Sequence, residues 1–324
     1  MKRIWILALL SASLATPMTS LADQDHYALI AKSVDDENFV DTWLGCQEEA
    51  LKYNDTCTLL GGDGPANPHT QYSAIEQARA SKLYSAFAIS VTKSEFIVDA
   101  LSGIDTPVVT FDSPFSEGVS DASQGYIGPD NQAIGADLAK IAQTFLPQGG
   151  SLCIFTAIHD PNLRQRVAGV RKTLSKSIIH PYDQKLTGEH GWFEGDRCPL
   201  NTGDNSRQTM DQMDAFFSEI HADMLISVGH WPIINSDLYR KTTYPYRHDL
   251  KTRKTHVVVA TGKVQSSYTD LLSDQLIHGL VSIDFKEIGR MTYLRMRQAH
   301  KGEPIPKVTY TQNYVLTLEA QTQK

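Results

Sequence analysis

Short apolar runs alternate with stretches of helical period along almost the whole chain. Tyr27–Ala31 has the length and composition of a buried strand. It is followed by Phe39–Tyr53, where Val40, Trp43, Cys46, Ala50 and Leu51 fall on one helical face. The pattern continues with strand Thr58–Leu60, helix Thr70–Lys82, strand Ala86–Val91, helix Ser94–Leu101 and strand Pro107–Phe111. A strand at Tyr126–Ile127 leads into helix Asp130–Phe145, then strand Leu152–Thr156 and helix Asn162–Ser175. An extended piece near Ile178–Tyr182 precedes helix Ser206–Glu219, strand Met224–Val228 and a short helix near Ile233–Tyr239. Strand His256–Ala260, helix Tyr268–Asp274, strand Leu280–Ile283 and helix Phe285–His300 complete the series. Strands alternating with helices predict an α/β protein whose parallel sheets are covered on both faces. The series is long enough for two doubly wound lobes, each with its own core. No low-complexity linker separates them, so the chain is expected to cross between the lobes more than once.

The first residues change where this fold is expected to work. Met1-Lys-Arg3, the apolar run Ile4–Ala12 and the small-residue end Ser20-Leu-Ala22 form a secretory signal over residues 1–22. The run is too short for a span of ~20 residues. A cleaved signal predicts a soluble exported protein that starts near Asp23. The chain has 30 basic and 37 acidic residues. Losing Lys2 and Arg3 leaves 28 against 37, a balance of −9, which argues against nucleic acid as a partner. An oxidising compartment lets cysteines pair. Four cysteines allow three pairings. Cys46–Cys57 is favoured because it ties a helix to the next strand, and Cys153–Cys198 because it joins neighbouring segments of one lobe.

Catalytic and cofactor signatures are missing. There is no Gly-x-Gly-x-x-Gly, phosphate loop, Gly-x-Ser-x-Gly or His-Glu-x-x-His, and Gly61-Gly-Asp-Gly64 reads as a turn. No enzyme, metal or cofactor is expected, and the chain is expected to be a monomer. Arg240–Lys254 carries six basic residues and two tyrosines and reads as a solvated loop, with a docking surface for a membrane partner as the alternative.

In open parallel sheets, ligands bind beyond the carboxyl ends of the strands. The residues found there are Ser33–Phe39, Ser90–Lys93, Asp112–Phe115, Asp130–Asn131, Ala157–Asn162, Gly229–Trp231 and Thr261–Lys263. The set is rich in carboxylates, amides and aromatic rings. Planar polar groups of this kind take sugar hydroxyls in pairs, and rings cover the apolar faces of a sugar.

Two segments carry a resemblance. Tyr126-Ile-Gly-Pro-Asp-Asn131 is followed by Asn162-Leu-Arg-Gln-Arg-Val-Ala-Gly169, which opens a helix after the loop His159-Asp-Pro-Asn162. Together they resemble the sugar-binding branch of the periplasmic binding proteins, the ribose- and galactose-binding type. The resemblance implies a two-lobed clamp, with one lobe of residues 23–129 plus 284–311 and the other of 130–283 plus 312–324. Its function would be to capture a sugar or sugar-like polar solute for an ABC importer, or alternatively to signal through a membrane histidine kinase or chemoreceptor. The resemblance implies ligand contacts for Asp112, after the strand ending Thr-Phe, and for Arg166, whose planar fork holds two oxygens. It implies the same for Asp130 and Asn131, and for Asp36, Glu37 and Phe39 in the first loop. Gly169 is expected to allow close helix packing. The second lobe departs from the pattern. Gly229-His230-Trp231 stands where Asn or Asp is usual, Thr261-Gly262 stands where an aspartate is usual, and Asp284 lies near the usual glutamine. His230, Trp231 and Asp284 are therefore candidates. Arg197-Cys-Pro-Leu-Asn-Thr-Gly-Asp204 resembles a Cys-Pro-Leu-Tyr-Thr segment at the cleft mouth of related proteins, which adds Asn201 and Asp204.

Overall fold

The computed structural model describes residues 24–178, 182–203 and 205–318. The signal region and Asp204 lie outside the described residues. The first sheet contains β1 (His26–Ile30), β2 (Thr56–Leu60), β3 (Ala86–Ile89), β4 (Val108–Phe111) and β5 (Tyr126–Pro129). The second contains β6 (Ser151–Thr156), β7 (Phe193–Glu194), β8 (Leu200–Asn201), β9 (Met224–Ser227), β10 (His256–Thr261) and β11 (Gly279–Ile283). Two late strands, β12 (Val308–Thr311) and β13 (Asn313–Leu316), close the edge of one sheet each. The strand orders are β2-β1-β3-β4-β5-β12 and β7-β6-β9-β10-β11-β13, with β8 beside β6. All pairings are parallel except β11 with β13.

Helices cover both faces, because every central strand is apolar on both sides. On β1 and just after it, Tyr27, Leu29 and Ala31 join the core shared with α1 (Glu37–Leu51) and α10 (Phe285–His300). Ala28 and Ile30 instead join Ile75 of α2 (Pro68–Ser81) and Ile97 of α3 (Ser94–Ala100). In the second sheet, Leu152, Ile226 and Val258 pack with Ile134 of α4 (Asn131–Phe145) and Val167 of α5 (Pro161–Leu174). Phe155, Leu225 and Val257 face Met213 of α6 (Ser206–Ala215), Tyr239 of α7 (Ser236–Thr243) and Leu271 of α9 (Ser266–Ser273). The chain passes from one sheet to the other after β5, after β11 and after β12. These crossings form the hinge region between the two lobes.

Several local expectations are corrected. The stretch after Arg240 is not a loop. It completes α7 and forms α8 (Arg247–Lys251), with Leu250 buried and the Tyr246 ring stacked on Phe217 at 4.8 Å. Arg171 of α5 forms an ion pair inside the second lobe. It is buried, and its Nε and Nη2 donate to Glu194 Oε1 and Oε2 at 2.6 and 2.7 Å. Both disulfides pair as favoured, Cys46 with Cys57 and Cys153 with Cys198. Gly169 allows the expected close packing: a Cβ there would lie 2.2 Å from the Gln132 carbonyl oxygen of α4.

Candidate functional site

Both sheets share a strand order that reverses direction beside the strand opening each lobe, between β1 and β3 and between β6 and β9. A parallel sheet leaves a crevice at such a switch point. The two crevices face each other. From the first come Lys32, Asp36, Asn38, Phe39 and Asp112, and from the second Asp160, Asn162, Arg166, Gly229, His230 and Trp231. They enclose a cavity of about 130 Å³.

Asp112 is aimed by backbone geometry. Its φ is +57°, and across it the Ser113 N–H donates to the Phe111 carbonyl at 2.5 Å, closing a three-residue γ-turn. Strain of this kind persists only where neighbours hold it. Here Tyr126 Oη donates to the Asp112 carbonyl at 3.0 Å, and Asn162 Nδ2 donates to the same oxygen at 3.1 Å. Burial raises the Tyr126 hydroxyl well above its ordinary pKa, and the Asp112 charge adds to this, so it remains a donor. The Asp112 Oδ2 atom accepts from Ser90 Oγ at 2.8 Å and Ser113 Oγ at 3.1 Å, and faces Lys32 Nζ at 3.5 Å.

Arg166 comes from the second turn of α5. Its Nε donates to Asn131 Oδ1 at 2.8 Å and its Nη1 to the Val228 carbonyl at 2.9 Å. Both partners are neutral, and the side chain is only 7% exposed. Desolvation pulls its pKa below the usual guanidinium value, opposed by Asp112 and Asp160. A buried guanidinium held this way is fixed in direction and presents a strong donor edge. Lys32 stands between the lobes, 3.5 Å from Asp112 and 3.8 Å from Asp160. Phe39, Trp231 and Phe285 supply apolar walls. The site can therefore hold a small oxygen-rich molecule, with charged donors and carboxylates for its hydroxyls and rings for its carbons.

The structure brings Asp36, Phe39, Asp112, Arg166, His230 and Trp231 to this cavity. Other candidates have different positions. Asn131 stands behind Arg166 and orients it. Asp130 does not line the cavity: its carboxylate caps α4 through the Ala133 N–H at 3.0 Å. Asp284 likewise caps α10 through Glu287 N–H at 2.9 Å and borders a separate pocket. A helix N-terminus attracts a carboxylate whether or not a ligand lies nearby. Glu37 sits outside the cavity and accepts from Gln265 of the opposite lobe at 3.1 Å. Asn201 holds a neighbouring loop, its Oδ1 accepting from Gly203 N–H at 3.2 Å.

Lys32, Asn38, Asp160 and Asn162 were not singled out from sequence. The last three lie within strand-end segments already marked by the switch-point rule. Lys32 carries its own signal, a lone charge directly after an apolar strand. The departures at Gly229 and Gly262 also acquire a cause. A Cβ on Gly229 would lie 2.5 Å from the Trp231 ring, and one on Gly262 2.0 Å from Asn38 Oδ1 of the other lobe. Trp231 and Asn38 occupy the space that side chains at these two positions would fill. Among the described residues no cluster has the makings of a metal site, and no helix is long and apolar enough to cross a membrane.

No curated protein matches the sequence. Among solved structures, the glucose-galactose binding protein GanP of Geobacillus stearothermophilus is similar at 16% identity, with a TM-score of 0.73 over 91% of this chain and 98% of that one. An ABC transporter solute-binding protein from Agrobacterium vitis with bound α-D-tagatopyranose has 18% identity and a TM-score of 0.74, over 92% and 96% of the two chains. One from Actinobacillus succinogenes with bound D-allose has 14% identity and a TM-score of 0.74, over 93% and 100%. At these identities the likeness shows the fold. Residues 27–304 match the family profile described as a periplasmic binding protein domain, most of the chain, and the protein therefore belongs to the periplasmic binding protein domain family.

Proposed function

We propose that this protein is an exported solute-binding protein that captures a sugar or sugar-like polar molecule between its lobes and delivers it to an ABC importer. The observation that carries the reading is the cavity itself. It lies at the carboxyl ends of both sheets, with Asp112 from one lobe facing Arg166 from the other. The similar structures with D-allose and tagatopyranose bound support a sugar. They are solute-binding proteins of ABC transporters, which favours the importer over a sensor as the recipient. The signal over residues 1–22 would be cleaved on export to the periplasm, and the mature chain would work as a monomer without catalysis or cofactor.

The clamp is divided at residues 129/130, 283/284 and 311/312, where the chain changes sheets. In it, ligand favours the closed arrangement because only that arrangement lets both lobes touch it. A ligand that binds only the native state raises thermal stability. Purified protein is therefore expected to show a raised Tm with at least one sugar from a panel of pentoses and hexoses. Asp112→Asn and Arg166→Ala are expected to abolish that rise while remaining cooperatively folded. A panel that leaves the wild type unmoved, or variants that respond like it, would reject the assignment.

A further inference from the structure

The central cavity is small for the ligand it is proposed to hold. It measures about 130 Å³. A cavity of ~150 Å³ accommodates one benzene, and a hexopyranose has about twice benzene's non-hydrogen atoms. A sugar held by Asp112 and Arg166 must extend beyond the central walls. Lys32 and Asp160 border the cavity and also border two larger chambers, of about 690 and 620 Å³. A ligand that outgrows the centre passes this pair into one of them.

The chambers differ in what they leave available. The smaller is lined by Asp35, Asp36, Glu37 and Asp41, and each carboxylate already has a partner within the protein. Asp35 accepts from Ser33 and Gly64, Asp36 caps α1, Glu37 takes Gln265, and Asp41 lies 4.0 Å from Lys263. In the larger chamber, the side chains of Lys93, Glu95, His159 and Gln165 make no hydrogen bond or ion pair with any of the described residues. Beside them Ile158 is exposed and Phe115 forms an apolar wall. Unspent donors and acceptors of both signs next to an apolar surface suit a neutral, hydroxyl-rich group. They do not suit an ion, because charges of opposite sign line the same space.

We propose that the larger chamber is a second sugar subsite, so that the ligand is a neutral disaccharide or glycoside anchored in the centre by one ring. This deepens the sugar-binding reading and rests on it. The test is isothermal titration calorimetry on the purified full chain and on Ile158→Trp, which obstructs part of the chamber at a position that does not line the central cavity. The titrants are D-galactose, D-glucose and L-arabinose, with lactose, melibiose and maltose as two-ring counterparts of the first two. At least one disaccharide is expected to bind about tenfold or more tighter than its component monosaccharides, and Ile158→Trp is expected to remove that gain while changing monosaccharide affinity less than about twofold. If Ile158→Trp fails to fold, His159→Trp, at an exposed position bordering the same chamber, takes its place. Monosaccharides binding with no disaccharide advantage, or an obstructed chamber weakening both classes equally, would overturn the second subsite and leave the sugar reading standing. Heat from none of the six sugars would overturn both.

Discussion

Gly229→Ala tests the contact that shapes the second lobe's wall of the cavity. A Cβ at this position would lie 2.5, 2.7 and 2.8 Å from Cη2, Cζ2 and Cζ3 of Trp231. Carbon atoms rest at ~3.5–4.0 Å, so the methyl group sits about an ångström inside contact and the indole or the turn after β9 must move. Overpacking of this kind costs about 1–3 kcal/mol. Trp231→Ala alone costs about 3–5 kcal/mol, toward the lower end because part of the ring borders the cavity rather than packed atoms. In the double variant the methyl meets no ring, so the double variant should be about as stable as Trp231→Ala. The coupling energy of the cycle is then the clash itself, about 1–3 kcal/mol below additivity. Urea denaturation of the four proteins measures it by linear extrapolation. Sugar titrations should follow suit, with Gly229→Ala weakening binding because the displaced ring enters the cavity. Additive effects, agreeing within about 0.5 kcal/mol, would show that the indole does not lie over Gly229 and would refute the explanation for the glycine.

The Arg171–Glu194 pair is buried and bidentate, so Arg171→Met is expected to cost about 3–5 kcal/mol by stranding the carboxylate, while Arg171→Met with Glu194→Met returns close to wild type or above it. Chemical denaturation decides, and a loss under about 1 kcal/mol for the single variant would contradict the burial. Burial pushes His256 below its ordinary imidazole pKa, with the nearby Arg253 charge adding to the effect. Below about pH 6.5 the unfolded chain therefore takes up a proton that the folded one resists, and stability should fall as pH drops through that value toward the folded pKa. His256→Phe should flatten that slope in a pH series of melting curves. The 45-residue separation of Cys153 and Cys198 against 11 for Cys46 and Cys57 predicts different losses on replacement by serine. The longer loop should cost about 4 kcal/mol and the shorter about 3, and a reversed order in denaturant melts would count against the loop-entropy account.

The layered fold was legible because its strands are long enough and buried enough to leave apolar runs. β12 and β13 left none. They are edge strands: β12 turns Thr309 and Thr311 inward and leaves Val308 and Tyr310 exposed, and β13 leaves Tyr314 and Val315 exposed, so neither has an inward apolar face. The site was legible as far as the switch-point rule reached, which brought Asp112, Phe39 and the His230-Trp231 turn into view. That rule could not separate a carboxylate aimed at a cavity from one that caps a helix. Asp112, Asp130 and Asp284 all stand directly after a strand, and only the φ of +57° at Asp112 turns its side chain away from helix-capping work. Arg166 and Arg171 show the same limit. Five residues apart on one helix, one enters the cleft and the other meets Glu194, 23 residues further along the chain.

The lost side chains at Gly229 and Gly262 shift the burden of recognition. With Trp231 folded over one and Asn38 set against the other, the ends of β9 and β10 contribute walls rather than polar arms. The charged groups that line the cavity are Lys32, Asp36 and Asp112 from one lobe and Asp160 and Arg166 from the other. A buried carboxamide helps fix their relative placement, beside the Lys32–Asp160 and Gln265–Glu37 contacts across the cleft. Asn162 Nδ2 reaches across the cleft to the Asp112 carbonyl at 3.1 Å and to Ser113 Oγ at 2.8 Å. Asn162 is one turn before Arg166 on α5, so this bond between the lobes also helps set the distance from guanidinium to carboxylate. Closing and gripping are thus one geometric event. The γ-turn that strains Asp112 gives its carbonyl the direction to accept from Asn162, and its carboxylate the direction to accept from a ligand.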